Sequence, residues 1–327
     1  MNSKKILLFL KNNSLLLFLI ILIAVGYSIS ERFLSLDNIF NILRVSSIFG
    51  IVALGLTFVI ICGEMDISVG AIVSLTSVTV VALQNYYSYF IPERYNYIPS
   101  IIFILAIGVL IGLINGFLIG ILKANSIIIT IGMLSIFEVI AWVYGKKRFI
   151  SVSSNNPFLE IGKGFIYKIP IPVIIFIILA IVSYIILSKT TVGKYVYATG
   201  ADDEIAWVVG IKTKKVRLLT FIISGVFCSI AGIILASRMG GSQAFTGSFY
   251  LFDAITAVIL GGASLSGGKG SIGKTIAGVL VVGILANILV YTGYSWASQQ
   301  FFKGLLLILA ILINTFLNVD KTRTQYE

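Results

Sequence analysis

The feature that most constrains this chain is a series of apolar runs, each about as long as a bilayer is thick. A hydrocarbon core of about 30 Å is crossed by about 20 helical residues at 1.5 Å per residue. Only 11% of the residues are charged, against about 25% in soluble domains. The sequence therefore predicts an all-α, polytopic membrane protein and excludes a water-soluble enzyme. The ten candidate spans are 13–30, 45–62, 67–84, 99–122, 126–145, 170–188, 216–237, 251–263, 273–292 and 301–318.

The connections between these spans are too short for a separate domain, so residues 1–327 are predicted to form a single transmembrane domain. Five spans followed by five more indicate an inverted repeat, because a unit with an odd number of spans is inverted when it is repeated, a recurring transporter design with broken helices. Residues 111–118 in span four resemble 282–289 in span nine. Gly-rich breaks near 63–70 and 261–273 also lie beside corresponding spans.

The basic residues indicate the orientation in the membrane. With both termini in the cytoplasm, fourteen of the 24 Lys and Arg residues lie on the cytoplasmic side, as the positive-inside rule requires. Lys4, Lys5 and Lys11 favour this orientation, whereas Lys146 and Lys147 oppose it locally. The net charge of +11 thus indicates basic loops that face anionic lipid, and no nucleic acid partner is expected.

The sequence offers little for metal, disulfide or catalytic chemistry. It contains no His, and Cys62 and Cys228 lie in apolar runs, as small buried hydrophobic residues do. No nucleophile and base stand at usable spacing, so a membrane enzyme is disfavoured. No catalytic residue, metal site or cofactor is expected in this chain.

One motif imitates a nucleotide site. Residues 268–275 match the phosphate-loop pattern G-x-x-x-x-G-K-T, which in an ATPase binds phosphate and Mg²⁺. That function needs a parallel sheet and a second strand that ends in Asp, and here the flanks are membrane spans. We therefore interpret the segment as a Gly-rich cytoplasmic turn.

Glycines recur every fourth residue in span four, at Gly108, Gly112, Gly116 and Gly120. Such a stripe of small residues lets a neighbouring helix approach closely, and dispersion is the main attraction between helices in lipid. Asn115 lies beside this face, where it could line a solute pathway or form a packing hydrogen bond.

Three acidic residues lie near breaks between spans. Glu64 and Asp66 stand between Gly63 and Gly70, and charge at membrane depth usually faces a cavity or a partner. Asp66 with Ser68 could cap the next helix or contact solute, and Asp253 could cap span eight. We include Glu64, Asp66, Ser68, Asn115 and Asp253 as candidate pathway residues.

The most basic loop, 189–215, contains a candidate docking helix at 202–209. Asp202 or Asp203 can cap it, Glu204 favours its positively polarised first turn, and Gly210 can end it. Two turns cannot be stable alone in water, so its apolar side chains need a surface. That surface is the membrane or a cytoplasmic partner. The candidate coupling residues are Gly200, Asp202, Asp203, Glu204, Ala206, Trp207 and Gly210.

Four ordered segments together resemble the permease subunits of bacterial ABC-type sugar importers, the ribose/xylose/galactose branch, with ribose-type members most similar. These segments are residues 33–43, 63–70, 192–200 and 253–270. The resemblance implies a type II-like importer fold in a bacterial inner membrane. It also implies a second permease copy, a cytoplasmic ATPase that carries ATP-Mg, and an extracytoplasmic sugar-binding protein.

Within this resemblance the family's coupling helix maps onto 202–209 and its motif Asp onto Asp66. Glu64 stands where Gly is usual, and Trp207 where a smaller or polar residue is common. A substitution at Gly200 or Trp207 is expected to uncouple ATP hydrolysis from transport without preventing assembly. The alternative is a secondary transporter or channel driven by an ion gradient, which predicts ionisable residues that act as a relay inside the membrane.

Overall fold

A computed structural model describes residues 14–145 and 148–323, so Lys4, Lys5, Lys11, Lys146 and Lys147 lie outside the described residues. The helices are α1 (Ser14–Ile29), α2 (Leu36–Ile61), α3 (Val69–Tyr87), α4 (Tyr97–Gly116), α5 (Ser126–Tyr144), α6 (Leu159–Lys163), α7 (Ile171–Lys189), α8 (Thr191–Ala201), α9 (Asp203–Val208), α10 (Thr213–Met239), α11 (Tyr250–Leu260), α12 (Ile272–Tyr291) and α13 (Trp296–Arg323).

The predicted all-helical membrane architecture is confirmed. Among the described residues, seven helices are long and apolar enough to cross a membrane, and three shorter apolar helices lie within α1, α11 and α13. Each of the ten predicted spans falls on one of these helices. A π-helical turn, Phe117–Ile121, extends α4, and a 3-10 turn, Glu31–Leu34, precedes α2.

The structure differs from the prediction at the start of α2 and in the long loops. α2 begins at Leu36, earlier than predicted, because the Ser35 hydroxyl accepts the Asn38 amide and caps a first turn that polar residues occupy. Helices α6 and α8 cover residues 159–163 and 191–201, which were predicted to be irregular; in the second connection we predicted a helix only at 202–209. Two short antiparallel pairs complete the fold: β1 (Ile150–Ser151) with β4 (Gly241–Ser242), and β2 (Phe165–Ile166) with β3 (Ile169–Pro170).

The central helices are α2 and α10, which pack against each other and are buried along most of their length. α10 packs against α3 and α4, and α2 packs in the same way against α11 and α12. Likewise α3 contacts α5, and α11 contacts α13. These paired contacts relate the first five spans to the second five, as an inverted repeat requires.

The two Gly-rich breaks lie beside the corresponding helices α3 and α11, but at opposite ends of them. The segment 62–68 precedes α3, whereas 261–271 follows α11. Because the second repeat is inverted, both breaks come to the same face of the bundle. They contact each other there, since the Gly268 amide donates to the Ile61 carbonyl at 2.8 Å.

Candidate functional site

The candidate site is built where three chain segments meet at one face of the bundle. The end of α2, the end of α8 and the 261–271 segment approach one another at Ile61, Gly200 and Gly268. A Cβ on Gly200 would lie 1.8 Å from the Ile61 carbonyl oxygen and 2.8 Å from the Gly268 nitrogen. Gly200 therefore lies inside the chain, away from any surface that a partner would contact.

Helix α9 extends from this junction and is capped at both ends. Asp202 accepts hydrogen bonds from the Glu204 and Ile205 amides at 3.0 and 2.9 Å, so of the two candidate caps the structure selects Asp202. Gly210 follows the helix with φ +88°, the left-handed backbone that favours glycine. These caps stabilise six residues that could not form a helix alone.

The side chains of α9 divide between the chain and the solvent. Ala206 is buried against the rest of the chain, whereas Trp207 is 71% exposed. Ile205, Val208 and Val209 are similarly exposed. Four neighbouring exposed apolar side chains at the end of a basic loop are typical of an interaction surface.

Three charged side chains connect α9 to the break that precedes α3. The Arg217 Nη1 lies 3.3 Å from the Asp203 carboxylate, and the Arg217 Nε lies 2.8 Å from Oε1 of Glu64. The second contact is off the N–H direction, so it is an ion pair without an aligned hydrogen bond. Burial raises the pKa of the Glu64 carboxyl, and the Ser126 hydrogen bond and the Arg217 charge offset this only in part.

Asp66 is fully enclosed in a cluster of hydroxyl groups. Its Oδ1 accepts from the Ser68 amide and hydroxyl at 3.1 and 2.6 Å, and its Oδ2 accepts from the Ser224 hydroxyl at 3.0 Å. Asn115 donates to the Ser68 hydroxyl at 3.1 Å. Asp66 thus fixes the turn at Ser68, the residue before α3, and also binds α10, but neither side chain accepts an amide of the first turn of α3, so the predicted cap is not formed.

Asp253 lies elsewhere and does not cap α11. This helix begins at Tyr250 after the N-cap Phe249, four residues before the predicted cap, and Asp253 points from its first turn towards α13. There Lys303 donates to its Oδ2 at 2.9 Å, and both side chains are largely buried. A buried carboxylate needs such a partner, and the sequence analysis had not paired these two residues.

The four glycines of α4 all face α10. Cβ atoms on Gly108, Gly112 and Gly116 would contact backbone of α10 at 2.5–2.8 Å. Gly120 would contact the Lys214 carbonyl at 2.9 Å and the Arg217 Cβ at 3.0 Å. The stripe thus brings α4 against α10, and its last glycine leaves the space that the Arg217 side chain occupies.

The segment that imitates a phosphate loop has its polar groups occupied by the fold. The Gly268 amide binds Ile61, the Ser271 hydroxyl accepts the Lys274 amide and caps α12, and Thr275 is within 3.0 Å of the Thr57 hydroxyl. It joins two membrane helices, as the sequence context indicated.

Sequence reasoning missed the partners of the acidic residues. Arg217, Ser224 and Lys303 each bind an acid that lies 50 residues or more away, and no local pattern pairs residues at that distance. A basic residue in an apolar run was the available signal, because charge within a membrane bundle needs a counter-charge.

Comparison with known proteins agrees with this architecture. Residues 38–311 match the family described as the branched-chain amino acid transport system permease component. The chain belongs to this permease family. The permease is 36% identical to the ribose import permease protein of Haemophilus influenzae over 93% of both chains, and 36% identical to that of Bacillus subtilis over 90% of both. A fructose import permease protein of Rhizobium meliloti is 32% identical over 93% of this chain and 84% of the relative.

No solved structure matches the permease significantly. The curated relatives confirm the expected membership of the sugar permease group of ABC importers. The permease is therefore a multi-pass membrane protein of a transport system, and its family is that of a transport subunit.

Proposed function

We propose that this permease is the transmembrane subunit of an ATP-driven importer and that two copies form the pathway of a ribose-like monosaccharide. The observation that carries the proposal is α9, a capped helix that exposes Trp207, Val208 and Val209 and is ion-paired through Asp203 to the body of the bundle. Such a helix offers an exposed apolar surface to a cytoplasmic ATPase. Because it is ion-paired to the bundle, a movement of the bound ATPase would be passed on to the membrane helices.

The proposed orientation puts both termini and α9 in the cytoplasm. The face that contains α9 also contains the connections 62–68, 122–125 and 261–271, and the basic residues Lys123, Lys212 and Lys215 lie there. This agrees with the excess of positive charge that cytoplasmic loops contain. The permease would then lie in the bacterial plasma membrane, and an extracytoplasmic sugar-binding protein would dock on the opposite face of the bundle.

In this scheme the chain itself performs no chemistry and binds no cofactor. ATP and Mg²⁺ belong to the ATPase, whose binding and hydrolysis bias the permease between inward-open and outward-open packings. The polar groups of the broken segment and α4, including Asp66, Ser68 and Asn115, are the proposed lining of the pathway. Capture of sugar is the task of the binding protein, so this lining need not bind sugar tightly.

The test is reconstitution of the permease in proteoliposomes with the ATPase and binding protein encoded beside its gene. We expect uptake of radiolabelled ribose only when ATP and both companions are present. Uptake by the permease alone, driven by a proton or sodium gradient, would refute the proposal and favour the secondary transporter. Other pentoses and fructose in the same assay would establish the substrate.

A further inference from the structure

We infer that Arg217 is a positioning residue that transmits movement of α9 to the segment 62–68, through its ion pairs with Asp203 and Glu64. The inference rests on the proposed function, because it concerns the route by which an ATPase bound at α9 would act on the pathway. It assigns a role to the contacts among Asp203, Arg217 and Glu64. Neither the caps of α9 nor its exposed apolar surface requires these contacts.

The first argument is geometric. Arg217 lies in the second turn of α10 and contacts one carboxylate on α9 and another in the segment 62–68, at 3.3 and 2.8 Å. The guanidinium thus lies between two carboxylates, hydrogen-bonded to one through Nη1 and ion-paired with the other at Nε, and the single ammonium group of a lysine does not offer two separate nitrogens. A displacement of Asp203 therefore moves the Arg217 guanidinium, which in turn displaces the Glu64 carboxylate.

The second argument is that the Arg217 side chain has a defined position. Its Cβ packs at the site of Gly120, a position without a side chain in the π-helical turn that extends α4. Its Nε and Nη1 are held by the two carboxylates, and the side chain is only 14% exposed. Because the side chain is enclosed on these sides, it can transfer force between its two partners with little freedom to rearrange.

The third argument is that Glu64 lies next to the pathway elements. Met65 directly follows Glu64, and its amide donates at 3.3 Å to the hydroxyl of Ser126, the first residue of α5. Two residues after Glu64, Asp66 binds α10. Displacement of Glu64 thus acts on the starts of both α3 and α5.

The native Cys62 provides a reporter of this movement. It is the first residue of the segment 62–68 and is fully buried, and burial raises the pKa of its thiol to about 12. A thiol reacts with maleimides as the thiolate, so Cys62 should label slowly in this packing and faster when the segment opens. Cys228, also buried within α10, is the internal reference.

The experiment uses the reconstituted complex with its ATPase and binding protein, and compares E64Q, R217Q and E64Q/R217Q with wild type. The matched controls are K215Q, an exposed charge on the same helix, and E93Q, an exposed acid on the opposite face. Two quantities are measured. One is sugar transported per ATP hydrolysed, and the other is the labelling of Cys62 by N-ethylmaleimide with and without trapped nucleotide.

We expect wild type and both controls to show nucleotide-dependent labelling of Cys62. In E64Q and R217Q this dependence should be lost, and transport per ATP should fall about tenfold, the size expected for losing one charged contact. The ATPase should still copurify. The double variant should match the single ones within about twofold, because residues of one network are not additive.

Wild-type transport by E64Q, or loss of the ATPase from the R217Q complex, would overturn the inference, because Arg217 would then be idle or only a docking support. Equal labelling of Cys62 in all nucleotide states of wild type would overturn it too. Failure of the proposed function has a different result: the wild-type permease would then take up sugar without ATP.

Discussion

Replacement of Gly200 by alanine tests the junction on which the candidate site is built. The new Cβ would lie 1.8 Å from the Ile61 carbonyl oxygen, where ordinary contacts begin near 3.4 Å. Neither neighbour is a flexible side chain, so the backbones at the ends of α2 and α8 must separate. The hydrogen bond of 2.8 Å from Gly268 to Ile61 lies within the same contact and would be broken or lengthened.

The magnitude follows from these two losses. Overpacking of a well-packed interior costs about 1–3 kcal/mol, and a lost hydrogen bond costs about 1 kcal/mol more. We therefore expect G200A to lose about 2–4 kcal/mol of unfolding free energy. That loss corresponds to a decrease of about 4–10 °C in the midpoint of thermal unfolding.

The assay heats the purified chain in detergent and measures, at each temperature, the fraction of protein that remains monodisperse. The matched control is G273A, because no atom lies within 4 Å of a Cβ at Gly273, and alanine there should be neutral or slightly stabilising in helix α12. If G200A had the same unfolding midpoint as wild type but failed to retain the ATPase, a buried junction at Gly200 would be refuted. Gly200 would then face the partner, as the sequence had suggested.

Three further variants test other contacts. W207A should leave the unfolding midpoint and ATPase copurification unchanged, because the side chain is 71% exposed, and should reduce the sugar transported per ATP hydrolysed; wild-type coupling in this variant would contradict α9 as the coupling helix. D253N should cost about 3–5 kcal/mol in thermal unfolding by leaving Lys303 unpaired, and D253N/K303M should cost less; a double variant as unstable as the sum would exclude a coupled pair. N287L should lose about 1–3 kcal/mol, because Asn287 and Asn38 exchange two hydrogen bonds of 3.0 Å; N38L/N287L should be no worse, and additive losses would show that the bonds are independent.

The membrane helices were predictable because bilayer thickness alone sets the length of an apolar run. The prediction was wrong at the start of α2, where Asp37, Asn38, Asn41 and Arg44 interrupt the apolar pattern, although Ser35 is a recognisable cap. It was also incomplete for α8, which the sequence pattern in the 189–215 loop did not separate from irregular chain. Hydropathy detects lipid contact, and these segments are stabilised by contacts with protein.

The site was predictable only where it depends on local chemistry. Asp202, Gly210 and the Asp66–Ser68 turn follow from cap and turn preferences within a few residues. The roles of Gly200 and Arg217 could not be read in this way, because each depends on segments more than 60 residues distant. Only the folded topology brings those segments to one face.

Under the proposed function, the inverted repeat gives one small helix, α9, a route to both halves of the bundle. Inversion brings the break before α3 and the segment after α11 to the same face, and Gly200, the penultimate residue of α8, lies between them. Tyr197 on α8 donates to the Gly270 carbonyl at 2.8 Å, which fixes α8 to the second repeat, while Arg217 joins α9 to Glu64 in the first. A displacement of α9 is therefore applied to both repeats together. The proposed alternating access needs relative motion of the two repeats, and in that scheme the Gly200 junction and the Arg217 ion pairs would transmit the displacement unequally. Of the two, the Gly200 contact is rigid backbone and the Arg217 contacts are side chains, which makes the Glu64 side the one expected to move.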